Sequence, residues 1–143
     1  MRYWDTSALA KLYLQEPDSP AFRSRAVQEA PLHTAHLTRH EIRTVFFRRE
    51  SEGAIQRGGT ALLFQDFDED IAAGLIVIQE EGAGVEQQFV HVLDQCFLAS
   101  APVFVRTNDA LHIASARHAG ARDFITADNR QRSAAAHVGL TVH

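Results

Sequence analysis

The chain is poor in cysteine, in lysine and in long apolar runs, and each shortage closes off a class of function. Its one cysteine, Cys96, cannot build a disulfide framework, and no cysteine and histidine cluster shows zinc-like spacing. Cys96 falls on the apolar face of a helix with Val85, Phe89, Val92, Leu93 and Phe97 and is read as a small core residue. The longest apolar stretch, IAAGLIVI at residues 71–78, is far short of the roughly 20 residues a membrane-spanning helix needs; it is read as a buried strand. Asp5 and Lys11 interrupt what would be the apolar core of a secretory signal, so the cytoplasm is the expected location, with no membrane partner. Internal repeats, low-complexity segments and linkers are missing, which makes residues 1–143 one expected domain.

What is present is enough apolar material for one core, 45% of the residues, and an uneven distribution of charge. The net charge of −4 argues against coating nucleic acid by bulk electrostatics. Arg39, Arg43, Arg48, Arg49 and Arg57 nevertheless crowd one segment, while residues 66–86 carry acids and no base. The acidic segment is read as a solvated helix face. The arginines suit either such a face or a surface that contacts phosphates, whose oxygens match the planar guanidinium fork.

Short apolar runs alternate with stretches of helical period. Strands are expected at residues 2–5, 32–35, 74–78, 123–126 and, at an edge, 140–142. Between them, helices are expected from Ala8 to a stop at Pro17, over 19–29, 37–51, from the Gly58–Gly59 pair towards Phe67, and over 85–100, 107–119 and 129–138. This alternation implies right-handed crossovers and an α/β fold of three layers, α/β/α, around a mainly parallel sheet. In such sheets ligands bind beyond the carboxyl ends of the strands, where the strand order reverses. Asp5 and Asp128 both stand at such ends.

Two further carboxylates join them. Glu41 shares a helical row with Leu37 and Val45, beside Ile42 and Phe46, so it sits in or at the edge of an apolar stripe, where a charge is expensive unless paired. Its stem can pack while its head reaches water or an arginine, and periodicity alone does not separate that reading from a functional one. Asp109 falls in the first turn of a helix that Thr107 can cap, Asp128 can cap the helix beginning near Asn129, and Asp5 can be a polar strand terminus. Each acid alone has an ordinary structural role. Four at one sheet edge repel one another unless a hard divalent cation, Mg²⁺ or Mn²⁺, sits among them. His33, His36 and His40 are read as structural or surface residues, and His112 as a side chain that packs or orients Asp109.

The segments DTSALAKLY, TAHLTRHE ending in Glu41, RTNDALHIASA around Asp109, and FITADNRQRSAAAHVGLTV together resemble the PIN-domain nucleases, most of all the VapC-type toxins of toxin and antitoxin pairs. They occur in the expected order over nearly the whole chain. The resemblance implies a PIN-like fold and a metal-dependent endoribonuclease. Its acidic site is Asp5, Glu41, Asp109 and Asp128, with Thr6 and Thr126 as supporting hydroxyls. It also implies an RNA substrate cut to 5′-phosphate and 3′-hydroxyl ends, a homodimer, and an antitoxin whose amphipathic segment lies beside the site. One departure is Ala35, where the family often has serine; Thr34 is expected to replace it as a capping hydroxyl.

The chemistry that fits is metal-assisted phosphodiester hydrolysis, with Arg39 and Arg43, which flank Glu41, holding substrate phosphates. Two rival readings fit the residues less well. An aspartyl-phosphate phosphatase or receiver needs a lysine across from the strand-end aspartate, and the only lysine, Lys11, lies on the first helix, while Ser7 stands where a phosphatase wants a second aspartate. A catalytically inactive PIN-like module that binds RNA or protein is disfavoured by the complete acidic set.

Overall fold

The computed structural model describes residues 1–143 throughout. Its elements in chain order are β1 (Arg2–Trp4), α1 (Thr6–Tyr13), α2 (Ser19–Glu29), β2 (Leu32–Ala35), α3 (Thr38–Ser51), α4 (Gly59–Ala72), β3 (Ile76–Gln79), α5 (Ala83–Phe97), α6 (Thr107–His118), β4 (Asp123–Ile125), α7 (Asn129–His137) and β5 (Thr141–Val142). All strand pairs are parallel, in the order β3-β2-β1-β4-β5. The chain therefore winds outward from β1 to β3, then returns to lay β4 against the other side of β1. The reversal of order falls between β1 and β4, whose register sets Trp4 opposite Ile125.

Side chains alternate across each strand, and this divides the apolar residues into two cores. Tyr3 and Phe124 stack at 5.3 Å on one face and meet Val92 and Cys96 of α5, Ala110 and Ile113 of α6, and Ala134 of α7. Trp4 and Ile125 point to the other face, against Leu9 of α1, Ile42 and Phe46 of α3, and Phe67 of α4. With helices on both sides of the sheet, the three-layer α/β/α architecture is observed directly. No helix is long and apolar enough to cross a membrane.

Two expectations need correction. The run at residues 71–78 is not one buried strand: Ile71 and Ala72 finish α4, Gly74 turns the chain at φ +75°, and β3 begins only at Ile76. β3 is a sheet edge in which Ile76 alone is fully buried, so its remaining apolar side chains are half-covered. Phe97 leaves the α5 core face and is 42% exposed, edge-on to Phe104.

Candidate active site

At the carboxyl edge of the sheet a cavity of about 730 Å³ opens between α1, α3 and α6, and Asp5, Glu41, Asp109 and Asp128 all line it. Each arrives on a different element, and each is held differently.

Asp5 ends β1 and caps α1, accepting from the Ala8 N–H at 2.8 Å. Ser7 Oγ donates to the same oxygen at 2.7 Å, and Thr126 Oγ1 donates to the other at 2.5 Å. Burial nevertheless raises its carboxyl above the ordinary range, against the opposing pull of His112 and these donors. Thr126, expected as a supporting hydroxyl, also accepts from the Asp128 N–H at 3.0 Å, while Ser7 Oγ accepts from the Ala127 N–H at 2.9 Å. These two hydroxyls tie the end of β1 to the loop after β4. Asp128 caps α7 through the Arg130 N–H at 2.8 Å.

Glu41 accepts from Thr6 Oγ1 at 2.6 Å, from His112 Nε2 at 2.7 Å and from Asn108 Nδ2 at 2.9 Å. Burial alone would raise its carboxyl; the hydrogen bond and charge of His112, with Thr6 and Asn108, outweigh that and hold it below the usual range. His112 is itself buried and lies 2.8 Å from the Tyr3 hydroxyl through Nδ1, and that hydroxyl accepts from the Ala35 N–H at 2.9 Å. Tyr3 holds one ring nitrogen of His112 and Glu41 the other, which fixes the plane of the imidazole. The partner of Glu41 is thus a histidine and not an arginine, and His112 serves Glu41 and not Asp109.

Thr34 does not cap α3. It is fully buried and bonds Thr38 Oγ1 at 2.6 Å, and Thr38 Oγ1 lies 3.1 Å from Thr6 Oγ1, which fastens β2, α1 and α3 beneath Glu41. Nor does Thr107 cap α6; the cap position is Arg106, with no side-chain hydrogen bond to the helix.

Asp109 contrasts with the other three. Beyond its own helix only its backbone carbonyl is engaged, by Gln131 at 3.4 Å, which leaves the carboxylate without a protein donor. Burial raises its carboxyl, the charge of Asp128 adds to this and Glu41 adds less, while Arg106 and His112 pull the other way. A carboxylate has about four acceptor sites. Asp109 has spent none on the protein, Asp128 one, and Asp5 and Glu41 three each.

No three acidic or imidazole groups converge into a ready metal cage. The oxygen-only donor set with spare capacity still suits Mg²⁺ or Mn²⁺, because Mg²⁺ takes one or two carboxylates and fills its shell with water and substrate phosphate.

Arg39 and Arg43 do not line this cavity. Each lies two positions from Glu41, about 200° away around a helix of 3.6 residues per turn. Arg39 pairs with Asp68 at 3.3 Å, and the Arg43 guanidinium sits 3.8 Å over the Phe64 ring. The basic residues that do line it are Arg48, two turns after Glu41 on the same face, and Arg106. Their helical phase relative to Glu41 and Asp109 was available in the sequence. The contacts of Ser7, Asn108 and His112 join segments far apart in the chain and were not.

The PIN domain family model matches residues 2–137. Ribonuclease VapC46 of Mycobacterium tuberculosis (strain ATCC 25618 / H37Rv) is 29% identical over 148 aligned positions, which cover 98% of this chain and 94% of that protein. The crystal structure of Mycobacterium tuberculosis VapC20, described as a Sarcin-Ricin loop cleaving toxin, superposes with a TM-score of 0.67 at 18% identity, over 94% of this chain and 95% of that one. The chain belongs to the PIN-domain family.

Proposed function

We propose that the chain is a divalent-metal-dependent endoribonuclease, the toxin of a toxin and antitoxin pair. The observation that carries this reading is the meeting of four carboxylates from the β1–α1 junction, α3, α6 and the β4–α7 loop in one cavity at the strand-order reversal. The ribonuclease relative at nearly full coverage supports it.

Asp109 and Asp128, with the most free acceptor capacity, are the main candidates to hold Mg²⁺ or Mn²⁺, and Asp5 and Glu41 each have room for one further contact. When bound, the cation would acidify a water and offset negative charge building on the phosphoryl oxygens. The chain's own work is positional. The Ser7 and Thr126 hydroxyls fix both oxygens of Asp5, and the Tyr3–His112 pair with Thr6 and Asn108 fixes Glu41, so neither carboxylate must reorient as charge develops. Arg106 beside Asp109 can hold a phosphate at the cavity edge.

An antitoxin partner, a homodimer and a cytoplasmic location follow from the VapC-type resemblance. Phe97, Leu98 and Phe104, exposed together, offer apolar surface for self-association. The test is RNA cleavage by purified protein with Mn²⁺ or Mg²⁺, with and without chelator. Cleavage that survives complete chelation removes the metal, and a folded, metal-loaded protein that leaves all RNA intact removes the nuclease.

A further inference from the structure

A second cavity, of about 610 Å³, adjoins the acidic one and shares Ser7, Val45, Arg48 and Asp128 with it. Its cations differ in one respect. Lys11 is neutralised by Glu16 and Asp18, and Arg49 by Glu16 and Glu52. Arg48 and Arg130 line the same cavity, are exposed, and have no carboxylate partner. Arg48 projects from α3 and Arg130 from α7, and both line this cavity together with Asp128. The protein therefore presents two unpaired guanidinium groups immediately beyond its carboxylates.

We infer that this second cavity is a phosphate-tracking subsite for single-stranded RNA. Arg48 and Arg130 hold the backbone phosphates on one side of the scissile bond, while Arg106 lines the acidic cavity but not this second one. The inference rests on the ribonuclease reading and deepens it. An anionic polymer approaching four carboxylates meets repulsion there, and fixed cations beside them offset it where the neighbouring phosphates lie. Arginine suits the task, since its fork pairs two phosphate oxygens at once and stays charged at every working pH. Carboxylates of Glu16 and Glu52 keep the remaining cations occupied, so attraction is concentrated on two points and not spread along the groove.

The experiment measures binding of RNA as a dinucleotide and as an octanucleotide across a salt series, in chelator without divalent metal so that no cleavage occurs. It uses wild type, Arg48→Ala, Arg130→Ala, the double variant, and Arg39→Ala/Arg43→Ala. Each lost phosphate contact should flatten the dependence of log affinity on log salt by about 0.7 for single strands. The double variant should lose about twice that for the octanucleotide and little for the dinucleotide, with an unchanged Mn²⁺-induced rise in melting temperature. An unchanged octanucleotide slope in the double variant overturns the subsite. If the wild type takes up Mn²⁺ yet neither holds nor cuts RNA, the ribonuclease reading falls and takes the subsite with it.

Discussion

The Tyr3 hydroxyl and His112 Nδ1, 109 positions apart in sequence, meet at 2.8 Å in the middle of the fold and set which way the histidine faces. Tyr3→Phe keeps the ring and its stacking on Phe124 while leaving the Ala35 N–H and one imidazole nitrogen without a partner. Leaving a buried polar group unsatisfied costs about 1–3 kcal/mol. Urea unfolding should show a loss of about 2–4 kcal/mol, and cleavage should fall because Glu41 loses its fixed donor. A variant of unchanged midpoint and full activity would show that His112 does not depend on Tyr3.

Asp109→Asn tests the carboxylate left without a donor. Its folded carboxyl lies above the unfolded value, so the charged form opposes folding at every pH above the ordinary carboxylate range; that penalty disappears as pH falls through the raised value. At neutral pH the metal-free variant should melt about 1–3 °C higher than wild type, a fraction of ~1 kcal/mol for a group still partly in water. On acidification the two should converge. Mn²⁺ should stabilise wild type by mass action and the variant much less, and cleavage should be lost. Equal Mn²⁺ shifts in the two proteins would take Asp109 out of the metal site.

Thr126→Val is nearly isosteric and removes one hydroxyl that serves two acids. Asp5 loses a donor, so its raised carboxyl moves further up, and the Asp128 N–H loses its acceptor. The expected loss is about 1–3 kcal/mol in urea unfolding, since one oxygen of buried Asp5 and the half-buried Asp128 N–H lose their partner. Mn²⁺ titration followed by melting should show weaker binding; unaltered affinity would mean that the loop after β4 is placed by other contacts.

Arg39→Ala and Arg43→Ala should leave RNA affinity and its salt slope unchanged. Arg43→Ala should lower stability by about 0.5–1 kcal/mol through loss of the contact over Phe64. A flattened salt slope in either variant would return these arginines to the substrate.

The contrast between these arginines and Glu41 shows what could be read from the chain. Asp5 and Asp128 were legible because apolar runs end abruptly at them, and Glu41 because it interrupts an apolar stripe. Arg39 and Arg43 were assigned by closeness in sequence, whereas a helix sends side chains two positions apart to opposite sides. Helical phase puts Arg48, seven positions on, on the same side as Glu41, and it lines the cavity. Residues 71–78 misled because Ile and Ala extend a helix end as readily as a strand; the left-handed turn at Gly74 decides between them. His112 was visible as a residue, but its contact with Glu41 spans 71 positions and exists only once α6 lies against α3.

The register of β1 against β4 also bears on synthesis. β1 is the first strand to leave the ribosome, and the strand that completes its hydrogen bonding, with Thr126 and Asp128 just beyond, is among the last. Contacts of such long sequence separation form only after the intervening chain is available. The acid cluster therefore stays incomplete until β4 and the residues just beyond it have emerged. Any product cut short before β4 lacks the final carboxylate and the neighbour that holds the first. The acid cluster is closed by the residues just beyond the fourth strand, so a fragment that stops before them has no complete site.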